Sequence, residues 1–135
     1  MNVKKEIDGF ILNRLQGALL NEALRLYSEG YANSDEIDAT IRDGLGLRWA
    51  FMGPFETIDL NAPGGIRDYM ARYGPMYTEM AKTQTSFPDW SDQVGEKLEM
   101  ERRKILPEDQ LQERAKKRNL LLKSLRKIKI DNNEA

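Results

Sequence analysis

The chain contains neither cysteine nor histidine. Without cysteine there is no disulfide and no thiolate metal site, which agrees with an intracellular protein. Without histidine the side chain best suited to proton transfer near neutrality is missing. Charge of one sign is lacking too: 21 bases against 22 acids leave a formal net charge of −1, which gives no reason to expect nucleic acid or an anionic membrane as a partner. No apolar run approaches the length of a membrane span, and the opening MNVKKEIDGF lacks the apolar core of a signal peptide; a cytoplasmic protein is the default. No β-branched alternating run of useful length occurs, so no sheet is expected. Nor is there a glycine-rich strand-to-helix turn for a dinucleotide, because the glycines at 44 and 46, and at 64 and 65, follow helices or loops. Neither a cofactor site nor a metal site is therefore expected within the chain. At 135 residues it is long enough to enclose one core.

What is present is helical periodicity. From Asp8 to Gly30 the sequence reads DGFILNRLQGALLNEALRLYSEG, with Leu12, Leu15, Leu19, Ala23 and Leu26 at steps of three and four, the spacing of one helix face. A second face (Gly17, Leu20, Leu24, Tyr27) is apolar except at its first member, Asn13; only Arg14, Asn21, Arg25 and Ser28 form a polar stripe. This pattern predicts one long core helix over residues 10–29, packed by neighbours on most of its circumference and on the order of 30 Å long. Asn13 has two readings. It is either a polar residue of the first turn, meeting backbone groups and solvent, or a carboxamide aimed at a ligand from the positive end of the helix. Spacing does not decide between them.

Gly30 suits the end of that helix. YANSDEIDATIRDGLG then reads as a short helix capped by Asn33 or Ser34, with acids in its first turn and Gly44 closing it. Residues 44–54, GLGLRWAFMGP, describe a partly buried loop in which Arg48 is the one charge. An arginine there either snorkels to water or takes a carboxylate in a bidentate grip. Pro54 suits the first position of a helix ending at the turn Ala62 to Gly65, and Glu56 is read as structural. The segment from Ile66 to Met80 predicts two short helices or one kinked at Pro75. Its Tyr and Met stripe is read as core, with a subunit interface as the alternative. Trp90, Val94, Leu98 and Ile105 or Leu106 mark a further helix. Pro107 opens the last one, whose acids lie early and bases late. Those bases read as a solvated face. The expected fold is all-α, five to seven helices around residues 10–29, with no sheet.

The run EIDGFILNRLQ, followed by NEALRLYSEG and GLGLRWAFMGPFETIDLNAPGG, resembles the start of the C-terminal helical domain of the 3-hydroxyacyl-CoA dehydrogenase family. Within the family it is most similar to the lambda-crystallin branch, the L-gulonate 3-dehydrogenases. The motifs match from Glu6 to about Gly65, in the family's order, and loosely beyond. The resemblance implies that Asn13, the Asn of FxxNR, sits beside the catalytic histidine. It also raises the carboxylate reading of Arg48: this chain carries Arg-Trp-Ala-Phe where acyl-CoA members read directly into MGPFE, so a small hydroxy-acid substrate fits better than a thioester.

The resemblance further implies an N-terminal Rossmann domain that holds NAD, receives the hydride and supplies the histidine. Met1 to Asp8 then corresponds to the connector between the domains, 9–130 to the helical domain and 131–135 to a frayed tail. The expected function is the substrate-side and dimerisation domain of an NAD-dependent 3-hydroxy-acid oxidoreductase, separated from its other half and inactive alone. The expected partners are a second copy in a homodimer, the Rossmann domain and the substrate. The alternatives are a stand-alone helical interaction module without catalysis and, within the family, a 3-hydroxyacyl-CoA dehydrogenase.

Overall fold

The computed structural model describes residues 10–134, and every regular element among them is helical. Helix α1 is Phe10–Ser28. It ends at Gly30, whose φ of +82° places it in the left-handed region that glycine enters without strain. Helix α2 covers residues 34–49 and changes pitch on the way: an α segment Ser34–Thr40, one π turn Ile41–Leu45 and a last α turn Gly46–Trp49. Then come α3 (Pro54–Leu60), α4 (Ile66–Ala81), α5 (Asp92–Ile105) and, after the 3-10 turn Glu108–Gln110, α6 (Leu111–Asp131). The all-α expectation holds, with six helices and no strand among the described residues. The connector expected at 1–8 lies outside the described residues.

Local chemistry accounts for the boundaries. Asn33 caps α2 in a reciprocal box: its Oδ1 accepts from the Glu36 N–H at 2.8 Å, and the Glu36 carboxylate accepts from the Asn33 N–H at 2.9 Å. Pro54 opens α3, where its missing N–H costs nothing. The turn into α4 is held by two carboxylates. Asp59 accepts from the Ile66 N–H at 2.8 Å, and Asp68 accepts from the Gly64 N–H at 2.9 Å while pairing with Arg72. Gly65 has φ +80°, and a Cβ there would lie 2.9 Å from an Asp59 oxygen. Pro75 sits inside α4, which continues through it as one helix.

The polar stripe of α1 is a docking strip for the loop between α4 and α5. Asn21 accepts from the Trp90 indole N–H at 2.9 Å, Arg25 donates to the Ser86 carbonyl at 3.0 Å, and the Ser86 hydroxyl reaches Glu29 at 3.3 Å. Tyr27, on another side of α1, faces Glu101 of α5. That carboxylate, aided by desolvation, pushes the phenol up to about 12.

Cover is scarce elsewhere. α1 packs against α2, α2 against α5 and the turn before α3, and α3 against α4. Leu24, at 9% exposure, is the only buried large apolar side chain among the described residues. Leu12, Leu15, Leu19 and Leu20 of α1 are exposed, so the helix has the broad apolar girth that its sequence predicts, but this chain does not supply the neighbours to cover it. The Met and Tyr stripe of α4 departs from the core reading in the same way: Met70, Tyr73, Met76, Tyr77 and Met80 all face outward because no other helix of the chain lies over them. The chain exposes 11467 Å², against roughly 7,300 Å² for a compact monomer of its 15.6 kDa mass.

Two outcomes follow. Gly65→Ala forces a side chain into the left-handed region and lowers stability by roughly 1–2 kcal/mol in urea unfolding. Because the Tyr27 phenol is raised from 10 to about 12 in the fold, its contribution is complete below pH 10 and lost as pH rises through 12. Ultraviolet difference titration of the folded chain should show a late phenolate step that Tyr27→Phe removes.

Candidate functional site

Asn13 lies in the first turns of α1 with its side chain exposed, on the flank that carries the uncovered Leu12 and Leu15. Arg48 lies in the last α turn of α2 and is also exposed. No hydrogen bond or ion pair joins the two among the described residues, and neither lines the chain's main groove, which opens between α1, α2 and the end of α5. The structure places both residues at the surface and does not by itself bring them into one cleft.

The surroundings of Arg48 correct the loop expected at residues 44–54. The chain stays helical to Trp49, and the irregular connection is only 50–53. The glycines serve a π turn instead of a loop. At Gly46 an added Cβ would lie 2.7 Å from the Ile41 carbonyl oxygen, whereas at Gly44 nothing stands within 4 Å. Gly46 is thus the residue that lets the wider turn close, and Gly44 does not end the helix. The Arg48 carbonyl accepts from the N–H groups of Phe51 and Met52, both at 3.1 Å, which folds the chain back at the base of this arginine. π turns interrupt α-helices mostly where a side chain must be re-aimed, and here the interruption directly precedes Arg48.

The MGPFE turn that follows is pinned by a residue sequence reasoning passed over. Thr57, 6% exposed, donates both its backbone N–H (3.0 Å) and its hydroxyl (2.8 Å) to the Gly53 carbonyl. Glu56, read as structural, is exposed in the first turn of α3. A β-hydroxyl four residues after a pre-helical glycine was the signal available for Thr57.

Sequence reading had also left the tyrosines of α4 as anonymous packing. Tyr69, Tyr73 and Tyr77 recur every fourth residue along one side. The Tyr69 and Tyr77 hydroxyls are 3.1 Å apart, and the Tyr69 and Tyr73 rings are 4.8 Å apart and tilted. The hydrogen bond with Tyr77 raises the Tyr69 phenol above its ordinary range, while the positive charge of Arg48 acts on it in the opposite direction. Arg48 therefore stands beside a row of phenols. Among the described residues no group of three or more His, Cys, Asp or Glu side chains is placed to hold a metal ion, and no helix is long and apolar enough to cross a membrane.

Comparison with known proteins decides what these helices are part of. Residues 9–105 match the family model described as the C-terminal domain of 3-hydroxyacyl-CoA dehydrogenase. The chain belongs to the 3-hydroxyacyl-CoA dehydrogenase family. Among its curated relatives, lambda-crystallin of Oryctolagus cuniculus is 42% identical over 131 residues, covering 96% of this chain and 41% of the relative. The L-carnitine dehydrogenase of Oceanobacillus iheyensis is 36% identical over 126 residues (93% and 41%), and that of Pseudomonas aeruginosa is 50% identical over 76 residues (56% and 24%). The chain thus spans less than half the length of these relatives. The resemblance read from the FxxNR and MGPFE stretches holds, and it places α1 to α5 inside the family domain while α6 lies beyond the matched range.

The two glycines of the π turn give a paired outcome. Gly46→Ala pushes a methyl group against backbone and lowers the thermal midpoint, whereas Gly44→Ala, with open space around it, is neutral or stabilising by about 0.5–1 kcal/mol. Calorimetry of the two variants side by side checks this.

Proposed function

We propose that this chain is the substrate-side and dimerisation domain of an NAD-dependent 3-hydroxy-acid oxidoreductase of the lambda-crystallin or L-gulonate 3-dehydrogenase type, cytoplasmic, and inactive without a Rossmann domain. The observation that carries the reading is the family match over residues 9–105, in a chain with no histidine whose two candidate site residues point outward from its own surface. NAD does not fit the described residues: they contain no strand, and so no strand-to-helix turn to receive a pyrophosphate. Cofactor and base belong to the Rossmann domain.

This chain contributes binding and orientation. Asn13 hydrogen-bonds the substrate oxygen or the neighbouring base through its carboxamide, which has both a donor and an acceptor. Arg48 grips the substrate carboxylate with its planar fork. A free hydroxy acid is favoured over a thioester, because two relatives are named for L-carnitine, itself a free hydroxy acid. A catalysis-free interaction module would share the exposed apolar surface but leaves the Asn13 and Arg48 positions without a role.

The purified chain alone should give no NAD reduction with L-gulonate, L-carnitine or 3-hydroxybutyryl-CoA, and clear turnover by it would overturn the reading. In an enzyme that joins this chain to its Rossmann domain, Arg48→Ala should raise KM for the hydroxy acid on the order of 100-fold, the scale of truncating one partner of a buried charge pair. Asn13→Ala should instead lower kcat about 100-fold with KM little changed, the scale of losing one preorganised hydrogen bond. Small and equal effects would return both residues to surface roles.

A further inference from the structure

Helix α6 is 21 residues long, about 30 Å, and is nearly bare. Leu120, Leu121 and Leu122 are 66%, 55% and 55% exposed, and Ile128 and Ile130 are exposed as well. Apart from the 3-10 turn that feeds it, no element of the chain packs substantially against it. A helix in water without a packed face is marginal at this length. Its leucines therefore call for a cover that its own chain does not provide.

The same chain has an unfilled groove. It measures about 1010 Å³, at the upper limit of small-molecule pockets, which run from about 300 to 1,000 Å³. Its floor is apolar, built from Leu19, Leu20 and Leu26 of α1, Ile37 and Ile41 of α2 and Ile105 of α5. Its rim on α2 is acidic, with Asp35, Glu36 and Asp38. Arg102 only approaches Asp38, at 3.9 Å, and the pair is solvent-exposed. Opposite these carboxylates stands the composition of α6, with eight bases against two acids. Arg114, early in α6, touches the rim, but the leucine triplet further along stays exposed, so a chain does not fill its own groove with its own helix.

We propose that two copies of this chain exchange their last helices: the segment around Leu121, Leu122 and Leu125 of one copy seats in the apolar groove of the other, with Lys116, Lys117, Lys123 and Arg126 available to its acidic rim. The exchange is isologous, since each copy offers one groove and one helix, and two such contacts close without leaving a free end. The area agrees. Each chain exposes about 4,000 Å² more than a compact monomer of its mass, and obligate dimers bury about 2,000–5,000 Å² in total. The inference specifies the dimerisation part of the proposed function and is independent of substrate.

The absence of cysteine makes the test clean. One copy carries Ile41→Cys and the other Leu121→Cys, Leu122→Cys or Leu125→Cys in turn. Each pair is mixed through a mild unfolding and refolding step, oxidised, and run without reductant, with helicity checked by circular dichroism and oligomeric state by sedimentation. The expected result is a sedimenting dimer and, for at least one helix position, a covalent band at twice the 15.6 kDa chain mass that needs both cysteines. That band should be lost, or reduced at least tenfold, when Asp35→Lys and Asp38→Lys are added to the groove copy. A dimer that cross-links at none of the three positions would overturn the exchange while leaving dimerisation intact, and would point to another face such as the Leu12 flank of α1. A monomer would sink both. Placing Ile41→Cys and the helix cysteine in one chain and finding only an intramolecular disulfide would also overturn it, by showing the helix folded into its own groove.

Discussion

Removal of apolar surface from water is what normally holds a helical domain together, at about 25 cal/mol per Å², and this chain carries out little of it internally. Leu24 is buried, yet the long helix around it shows Leu12, Leu15, Leu19 and Leu20 to the outside. Three further helices follow the same pattern: Met70 and Met76 on α4, Met100 on α5 and the leucine triplet on α6. Such an arrangement is what remains of a core when the bodies that complete it are set aside. The helices are positioned like the half of an interface, and the free energy that keeps them there comes mainly from what covers them. Each uncovered leucine contributes its roughly 1.5–3 kcal/mol only once another surface meets it.

Where burial is thin, backbone and side-chain polar groups fix the geometry. The Asn33–Glu36 box sets where α2 begins, the Asp59 and Asp68 carboxylates set the turn from α3 to α4, and Thr57 ties the MGPFE turn to Gly53. Asn21 and Arg25 anchor the long loop that ends at Trp90 against α1. Each of these bonds is worth on the order of 1 kcal/mol net. Their service is orientation: they determine which faces of α1, α2 and α4 point outward, and hence which surface the chain presents for assembly.

The helices and their ends were legible in the sequence because their determinants are local. Gly30, Asn33, Pro54 and Pro107 act within one turn of where they stand, and the chain reads correctly there. Arg48 was misplaced into a loop because Gly44 and Gly46 look alike in sequence. Only the approach of Gly46 to the Ile41 carbonyl separates a π turn from a break, and that is a property of the folded backbone. The polar stripe of α1 read as a wet face because hydrogen bonds to Ser86 and Trp90 join residues more than sixty positions apart. The stripe of α4 read as core because periodicity reports that a face is apolar without reporting which molecule covers it. Asn13 and Arg48 were legible only through their motifs, since a carboxamide and a guanidinium on exposed turns carry no local mark of their use.

The lack of cover also bears on how a site using Arg48 can work. An arginine and a carboxylate meeting at an exposed surface are worth about 0–1 kcal/mol, because water competes for both. At an effective dielectric of about 20, the same charges 4 Å apart attract by about 4 kcal/mol. The difference between an indifferent and a useful grip is therefore supplied by whatever excludes water around Trp49 and Phe51, and both of those side chains are themselves exposed in this chain. In the proposed role, one covering event buries apolar residues that need burial and lowers the dielectric around a cation that needs it lowered. Binding and assembly are then thermodynamically linked: a substrate that binds only the covered form stabilises that form by RT ln(1 + [L]/Kd), and the covered form gains affinity by the same coupling. A helical half that leaves its own core open is thus suited to a site that becomes strong only after the complete enzyme has formed.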